Sequence, residues 1–572
     1  MYILGLNCLT DHDSSVALLK DGKVVAAAAE ERFTRLKHDS RFPYKAIEHC
    51  LAQGNISLND IQQIGFSWNV SWRTSGLLAN WIGRAKCLPY SYNIKEWFFL
   101  YNGFRNIQTK TEQTLRNELG YKNIFYRVGH HLSHAAAAFY LSPYEEAAVL
   151  TVDGTGEHST ATFCHAQKKK INILGEIVRP ASIGLFYGEM TGYLGFAKYR
   201  DEYKIMGLAS YGSPVYKDKF RKMLRLTENG KFELDLKYFK MYGDFINGFS
   251  KYFYNEFGPR RSKGQPISRY YMDIASSLQS VTEDVICHMA GWLATRTGCR
   301  NLCLSGGVAL NGVANAAILK RKIFDEIFID PAADDSGTSL GAALYLNNNI
   351  FAGERITMSS TFWGPGYADQ EILSILNRNK IRFEKHENIT SVCAELLAQG
   401  KLIGWFQGRM EWGPRALGNR SILADPRKIE MKDIVNISVK YREEFRPFAP
   451  AVLHEHAGEY FEMLQEGIPF MNIVVPVKEE KRNTIPAVTH IDGSARVQTV
   501  SQEFNPLFRE MIGEFYRRTG VPVILNTSFN VKGEPIVCTP DDAIRCFYST
   551  GLDCLIMGKY LIKKEPADVR EA

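Results

Sequence analysis

YILGLNCLTDHDSSVALLKDGKVVAAAA (residues 2–29) and AAVLTVDGTGEHSTATFCHAQKKKINILGEIV (residues 147–178) decide the architecture, because they give one order of elements twice. In the first stretch YILGLN is apolar and extended, DHDSS is a polar turn, and SVALLK and KVVAAA flank Asp21-Gly22. That dipeptide suits the two positive-φ positions of a type I′ turn and predicts a tight hairpin. In the second, AAVLTV reads as a buried strand and DGTGEHS as a polar loop, and STATFCHA with INILGEIV forms another hairpin. The two share pattern, not identity.

A strand, a phosphate-sized loop and a hairpin, occurring twice, predict an α/β fold in which an actin-like ATPase domain spans residues 1–350. Between the repeats, PYKAIEHCLAQ reads as a helix that starts near Pro43 and stops at Gly54, with proline and glycine at their preferred ends. LCLSGGVALNG predicts a strand, the turn Ser305-Gly306-Gly307 and a helix. Glycines there let backbone N–H groups approach a phosphate, although a plain tight turn reads the same way. IFIDP followed by DDSGTSLGAALYL sets Asp334 and Asp335 at a strand's carboxyl end, where open α/β sheets bind ligands. Around residues 347–362 the chain turns polar, and a second α/β domain is expected over 360–572. Stretches at roughly 70–120 and 213–270 are aromatic and basic without clear periodicity, and read as insertions on the first domain.

A chain of 572 residues is too long for one ordinary core. The formal charge of +7 suits an anionic small molecule as well as nucleic acid. No dense basic stripe is present, which argues against nucleic acid. The N-terminus lacks the features of a signal peptide, and no apolar run reaches the roughly 18–20 residues of a membrane span. Eleven cysteines are scattered without a CxxC pair, so no zinc ribbon or disulfide framework is indicated. A cytoplasmic setting is the expectation.

The sharpest chemical signal is VGHHLSHAAAAFYLS, which places His130 and His134 four residues apart on an alanine-rich helix. Residues i and i+4 share a face and can share an ion; surface or capping histidines also fall at this spacing by chance. Asp335 is the first candidate for the carboxylate of a 2-His-1-carboxylate site. Asp153 is the second, as a group orienting phosphates or a metal-bound water.

In the second domain Arg409, Arg415, Arg420 and Arg427 interleave with Gly408, Gly413, Pro414 and Gly418, and Lys440, Arg442, Arg446 and Arg496 follow. Glycine and proline break the spacing of a solvated helix face, so converging guanidiniums that grip a phosphate dianion are expected. VPVILNTSFNVKGEPIV ends a strand in Asn526-Thr527-Ser528-Phe529-Asn530. Those amides and hydroxyls suit a small polar group such as a carbamoyl NH₂; an Asx-rich turn is the alternative.

Taken in order, HDSS, EERFTRLKH, GHHLSHAAAAF, VDGTGE, YKIMGLASYG, LSGGVALN, DDSGTSLGAA, GRMEWGPRALGNRSIL, REEFRPFAP and LNTSFNVKGEPIV are specific. Over nearly its whole length the chain resembles the NodU/CmcH family of O-carbamoyltransferases, which includes nodulation-factor, cephamycin and tobramycin carbamoyltransferases. The resemblance implies an actin-like domain with an HxxxH iron or zinc site, similar to a tRNA-modifying threonylcarbamoyl transferase, followed by a YrdC-like domain. It implies that the YrdC-like domain makes carbamoyl adenylate from carbamoyl phosphate and ATP. The first domain then carbamoylates a hydroxyl of a small natural product or sugar.

Carried over by position, His130, His134 and Asp335 hold Fe(II) or Zn(II). Lys37, Asp153, Gly154, Lys204, Gly306, Gly307, Asn311 and Arg415 hold ATP, with Mg(II), or the adenylate. Lys440, Arg446, Arg496, Asn526 and Ser528 hold carbamoyl phosphate, and His12, with Lys37, serves catalysis as the base facing the acceptor hydroxyl. Leu36 stands where relatives can carry a basic residue, which weakens the phosphate role of its segment. A homodimer is compatible with the sequence. Rival readings are a tRNA-modifying transferase, an actin-like kinase or ATPase, and a non-catalytic module of the same fold.

Overall fold

The computed structural model describes residues 1–9, 13–70 and 94–564. The chain divides into two units, Met1–Glu30 with His38–Met358, and Glu31–Lys37 with Ser359–Ala572. In the first unit, strand β1 (Tyr2–Asn7) turns back through β2 (Ser15–Lys20) and β3 (Lys23–Ala29), both antiparallel. Asp21 and Gly22 have φ of 49° and 82°, the two positive values a type I′ turn demands. β4 (Gln63–Phe66) and β5 (Ile124–Arg127) add in parallel beyond β1, giving the order β3-β2-β1-β4-β5.

The second sheet repeats the first. Strand β6 (Glu146–Val152) pairs antiparallel with β7 (Ser159–Gln167), and β7 with β8 (Lys170–Val178). β9 (Asn301–Ser305) and β10 (Glu326–Ile329) add in parallel on the other side of β6. This doubled strand order is the actin-like ATPase architecture that the repeated loops predict.

Two helices fill the space between the sheets. Helix α1 (His130–Leu141) packs on β6 and β9, and α2 (Gly337–Tyr345) packs on β1 and β2 and against α1. Alanine favours the α1 helix, and its small side chains at Ala135–Ala138, all buried, let neighbours come close. At Gly341 the approach is closest, since a Cβ there would lie 1.9 Å from the Ser133 carbonyl oxygen. Only glycine fits, and Ser133 lies between the two histidines of the HxxxH pair.

In the second unit a mixed eight-stranded sheet is built from β11 (Glu384–Lys385), β12 (Ile403–Phe406), β13 (Arg420–Ala424), β14 (Ala449–Leu453), β15 (Gln498–Val500), β16 (Val523–Ser528), β17 (Cys554–Met557) and β18 (Tyr560–Lys563). Its order is β11-β18-β17-β12-β13-β16-β14-β15. The segment Glu31–Lys37 belongs to this unit, an excursion that linear boundaries do not contain. Arg32 donates to the Gly413 carbonyl at 3.1 Å, and Arg35 to the Ile536 and Pro535 carbonyls at 2.7 and 2.8 Å.

The aromatic stretch within 213–270 is packed into the first unit. Phe249 stacks on Phe253 with centroids 3.8 Å apart, Phe253 on Phe257 at 4.6 Å, and all three are buried. Among the described residues no helix is long and apolar enough to cross a membrane.

Candidate active site

The carboxyl ends of the parallel strands and the start of α1 converge. β6 delivers Asp153, β9 delivers Ser305 and the glycine turn, the loop beyond β10 delivers Asp335, and α1 opens on His130. His130 Nε2 lies 3.1 Å from Asp153 Oδ2 and 3.5 Å from Asp335 Oδ1. His134 Nε2 lies 3.6 Å from each of the same oxygens. Four ligand atoms, one per residue, fall within 4.8 Å of one another. Asp153 therefore sits as close to the histidines as Asp335 does. His131 turns away onto Thr151 Oγ1 at 2.7 Å and the Ser159 carbonyl at 2.9 Å.

The donor set fits a divalent metal. Bonds of about 2.05 Å put tetrahedral ligands about 3.3 Å apart, within the observed 3.1–3.6 Å. His134 Nε2 is buried with no hydrogen-bond partner among the described residues, while its Nδ1 meets Ser305 Oγ at 3.1 Å. A hydrogen bond on one imidazole nitrogen, with the other nitrogen aimed at the cluster, is how ligating histidines are held. The charges agree. Burial opposes protonation of His130, but the Asp335 and Asp153 carboxylates outweigh it and push the imidazole up to about 10. His134 is raised against burial by the same pair. Burial opposes ionisation of Asp153 and Asp335, yet the imidazoles hold both below the usual carboxylate range. Two buried carboxylates thus demand two positive charges, which either two protons or one dication can supply.

In the second unit Lys440 is buried, with its ammonium donating to the Ser528 carbonyl, to Ser528 Oγ at 3.3 Å, and to Asn530 O and Oδ1 at 3.0 and 2.8 Å. Burial, then the charges of Arg442, Arg446 and Lys37, hold it well below the usual lysine range. Arg496 is partly buried, its Nε is closed to solvent, and its side chain has no hydrogen bond or ion pair among the described residues. Burial and the neighbouring Arg415, Arg442 and Arg446 all disfavour its charge. Nearby, Asn526 Nδ2 donates to Gln498 Oε1 at 2.8 Å and to the Ala416 carbonyl at 3.2 Å, leaving Oδ1 a buried acceptor without a donor among the described residues. Such a place asks for an anion and a small N–H donor.

Residues 2–344 match the description Carbamoyltransferase N-terminus, and residues 394–564 match Carbamoyltransferase C-terminus. The chain belongs to the carbamoyltransferase family. Nodulation protein NolNO of Sinorhizobium fredii is 39% identical over 572 aligned residues, which cover 97% of this chain and 79% of that protein. Nodulation protein NolO of Bradyrhizobium diazoefficiens is 40% identical over 459 residues, covering 78% and 80%. Among solved structures, a ROK hexokinase of Thermus thermophilus aligns with 60% of this chain and 98% of its own at 13% identity. Its TM-score of 0.30 is too slight to argue from.

Not every residue that this carbamoyltransferase's sequence singles out joins these clusters. Of the arginines expected to converge, three serve the fold. Arg409 bonds the Trp363 and Gly364 carbonyls. Arg420 bonds the carbonyls of Gln407, Asn419, Pro365 and Gly408 and stacks over Phe406, and Arg427 chelates Asp425. Loops rich in glycine and proline leave carbonyls that need donors, and these guanidiniums supply them. Lys37, expected beside the metal domain's adenylate, lies in the second unit, where its charge bears on Lys440. Leu36 is exposed. Lys204 pairs with Asp201 at 3.0 Å.

Asn311 caps its helix through Ala314 N–H and exchanges hydrogen bonds with Gln279. The Gly307 N–H donates to Asp153 Oδ1 at 3.0 Å, so the glycine turn positions the acid. Gly306 needs its φ of 97° there, with a would-be Cβ 2.2 Å from the Val152 oxygen. The Gly154 carbonyl accepts from Ser182 Oγ at 2.7 Å. His12 lies outside the described residues.

Two residues the sequence did not single out border the cluster of His130, His134, Asp153 and Asp335. Glu157 accepts the His130 backbone N–H at 2.9 and 3.2 Å, and the Trp68 ring packs tilted against the His130 ring with centroids 4.4 Å apart. Glu157 belongs to the VDGTGE loop, and nothing local marks it as the acceptor at a helix start 27 residues away.

Proposed function

We propose that this carbamoyltransferase is an ATP-dependent O-carbamoyltransferase that works in two steps, one per unit. In the second unit, taken as YrdC-like, carbamoyl phosphate and ATP with Mg(II) give carbamoyl adenylate, with one water consumed and phosphate and pyrophosphate released. Arg415, Lys440, Arg446 and Arg496 neutralise the phosphates. Asn526 Oδ1 accepts from the carbamoyl NH₂. The observation that carries this reading is Arg496, a partly buried guanidinium among three others with no anion of its own among the described residues.

In the first unit the carbamoyl group passes to an acceptor hydroxyl. The new C–O bond forms as AMP leaves, and the hydroxyl proton goes to a base, the role we give His12. His130, His134, Asp153 and Asp335 would hold Fe(II) or Zn(II), which supplies Lewis acidity where negative charge develops. Ser305 Oγ holds the His134 imidazole by its Nδ1, and Glu157 holds the backbone N–H of His130 at the start of α1. Nodulation relatives point to a small hydroxylated acceptor such as an oligosaccharide or a secondary metabolite. The test incubates the purified protein with ¹³C-labelled carbamoyl phosphate, ATP and a panel of sugar, aminoglycoside and macrolide alcohols. A carbamoyl mass gain that requires both ATP and carbamoyl phosphate supports the reading; ATP consumption that ignores carbamoyl phosphate, with a phosphorylated acceptor, contradicts it.

A further inference from the structure

A closed circuit of contacts runs outward from His130 and returns to it. The His130 ring meets Trp68 at 4.4 Å, Trp68 stacks on Phe104 at 5.4 Å, and Phe104 stacks on Phe245 at 6.3 Å. The Arg179 guanidinium lies over Phe245 at 4.4 Å. Arg179 closes the ring, donating to Thr155 Oγ1 at 2.5 Å and to the Gly156 and Glu157 carbonyls at 2.7 and 2.8 Å. Glu157 then holds the backbone N–H of His130 and, at 2.7 Å, that of Asn69 beside Trp68. Arg179 and Asp244 are both buried and paired at 3.1 Å.

Phe104 and the Asp244-Phe245 turn come from the two stretches read as insertions, Phe104 from the helix Ile94–Gln113 and Phe245 from the hairpin Phe239–Phe249. A buried arginine that fixes three consecutive loop residues is over-determined as packing. Its planar fork matches the loop, and its charge is balanced by an acid on the insertion.

We propose that Arg179 is a positioning residue for the metal site. It locks Glu157, and through it His130, to the Asp244-Phe245 turn, so that ligand geometry depends on an insertion distant in sequence from every ligand. The inference rests on the metal-site reading given above, and the experiment separates the two. Co(II) is titrated into the metal-free full-length protein, following its visible d–d bands. Wild type is expected to bind one equivalent, lost in His130→Ala; no such binding would remove the metal site and this inference together.

With that binding present, Arg179→Lys and Asp244→Asn are expected to weaken Co(II) binding 10- to 100-fold, the range typical for partners that orient metal ligands, and to shift the bands. Asp244→Glu, which keeps the ion pair, is expected to stay near wild type. A role in packing alone would lower the melting temperature and leave affinity and bands unchanged in the folded protein, and that result overturns the inference while sparing the metal site. Should Arg179→Lys fail to fold, Asp244→Asn decides, since it leaves the three loop hydrogen bonds in place.

Discussion

Replacing Gly341 with alanine forces apart the helices beside the proposed metal ligands, α1 with His130 and His134 and α2 just after Asp335. The new Cβ would start 1.9 Å from the Ser133 carbonyl oxygen, whereas such contacts do not fall below about 3 Å, so α1 and α2 must separate by more than an ångström. Overpacking of this kind costs about 1–3 kcal/mol, a drop of a few degrees in melting temperature. The functional effect is larger, because α1 holds His130 and His134 while Asp335 lies just before α2. Metal–ligand distances tolerate only about 0.2 Å. Zn(II) affinity should therefore fall at least 10-fold, with a Gly341→Ser variant behaving alike. Competition titration against a chelator, beside a thermal melt with and without Zn(II), reads both effects. A folded Gly341→Ala protein with wild-type Zn(II) affinity would refute the claim that the α1–α2 contact sets the cluster.

Arg496→Met removes a cation that has no hydrogen-bond or ion-pair partner among the described residues and has three like-charged neighbours. Relief of about 1–2 kcal/mol of repulsion should raise the melting temperature of the ligand-free protein, while the upward shift caused by carbamoyl phosphate disappears. Differential scanning fluorimetry checks both, and a retained shift would contradict the assignment. His490 is pushed down to about 4, chiefly by burial, with Arg496 and Lys432 adding to it against Asp492. The folded protein therefore binds fewer protons than the unfolded chain between about pH 4 and 6.5, so this contribution to stability is present above pH 6.5 and is lost as pH falls toward 4. His490→Asn should flatten the acid side of the stability curve measured by urea denaturation; an unchanged slope would exclude the histidine.

The duplicated core was legible because strand, loop and hairpin leave period-2 patterns and turn dipeptides, Asp21-Gly22 above all. The HxxxH pair was legible from helical spacing, and Asp335 from its place beyond a strand end. The equal standing of Asp153 was less so, because its distance to His130 depends on two strands and a glycine turn meeting in space. Sequence also could not separate Arg420 from Arg496. Both are arginines in glycine-bearing surroundings, but among the described residues one is consumed by four carbonyls and the other by none. Glu31–Lys37 joins the second unit through arginine bonds to carbonyls hundreds of residues away, a pairing no local pattern announces.

The division of labour between the units is tested most directly by measuring carbamoyl-phosphate-dependent release of pyrophosphate from ATP alongside carbamoyl transfer in the same preparations. His134→Ala should keep pyrophosphate release and lose transfer, and Arg446→Ala should lose both. A folded His134→Ala protein that no longer releases pyrophosphate, or an Arg446→Ala protein that still does, would contradict the assignment of activation to the cations of the second unit and transfer to the metal cluster of the first.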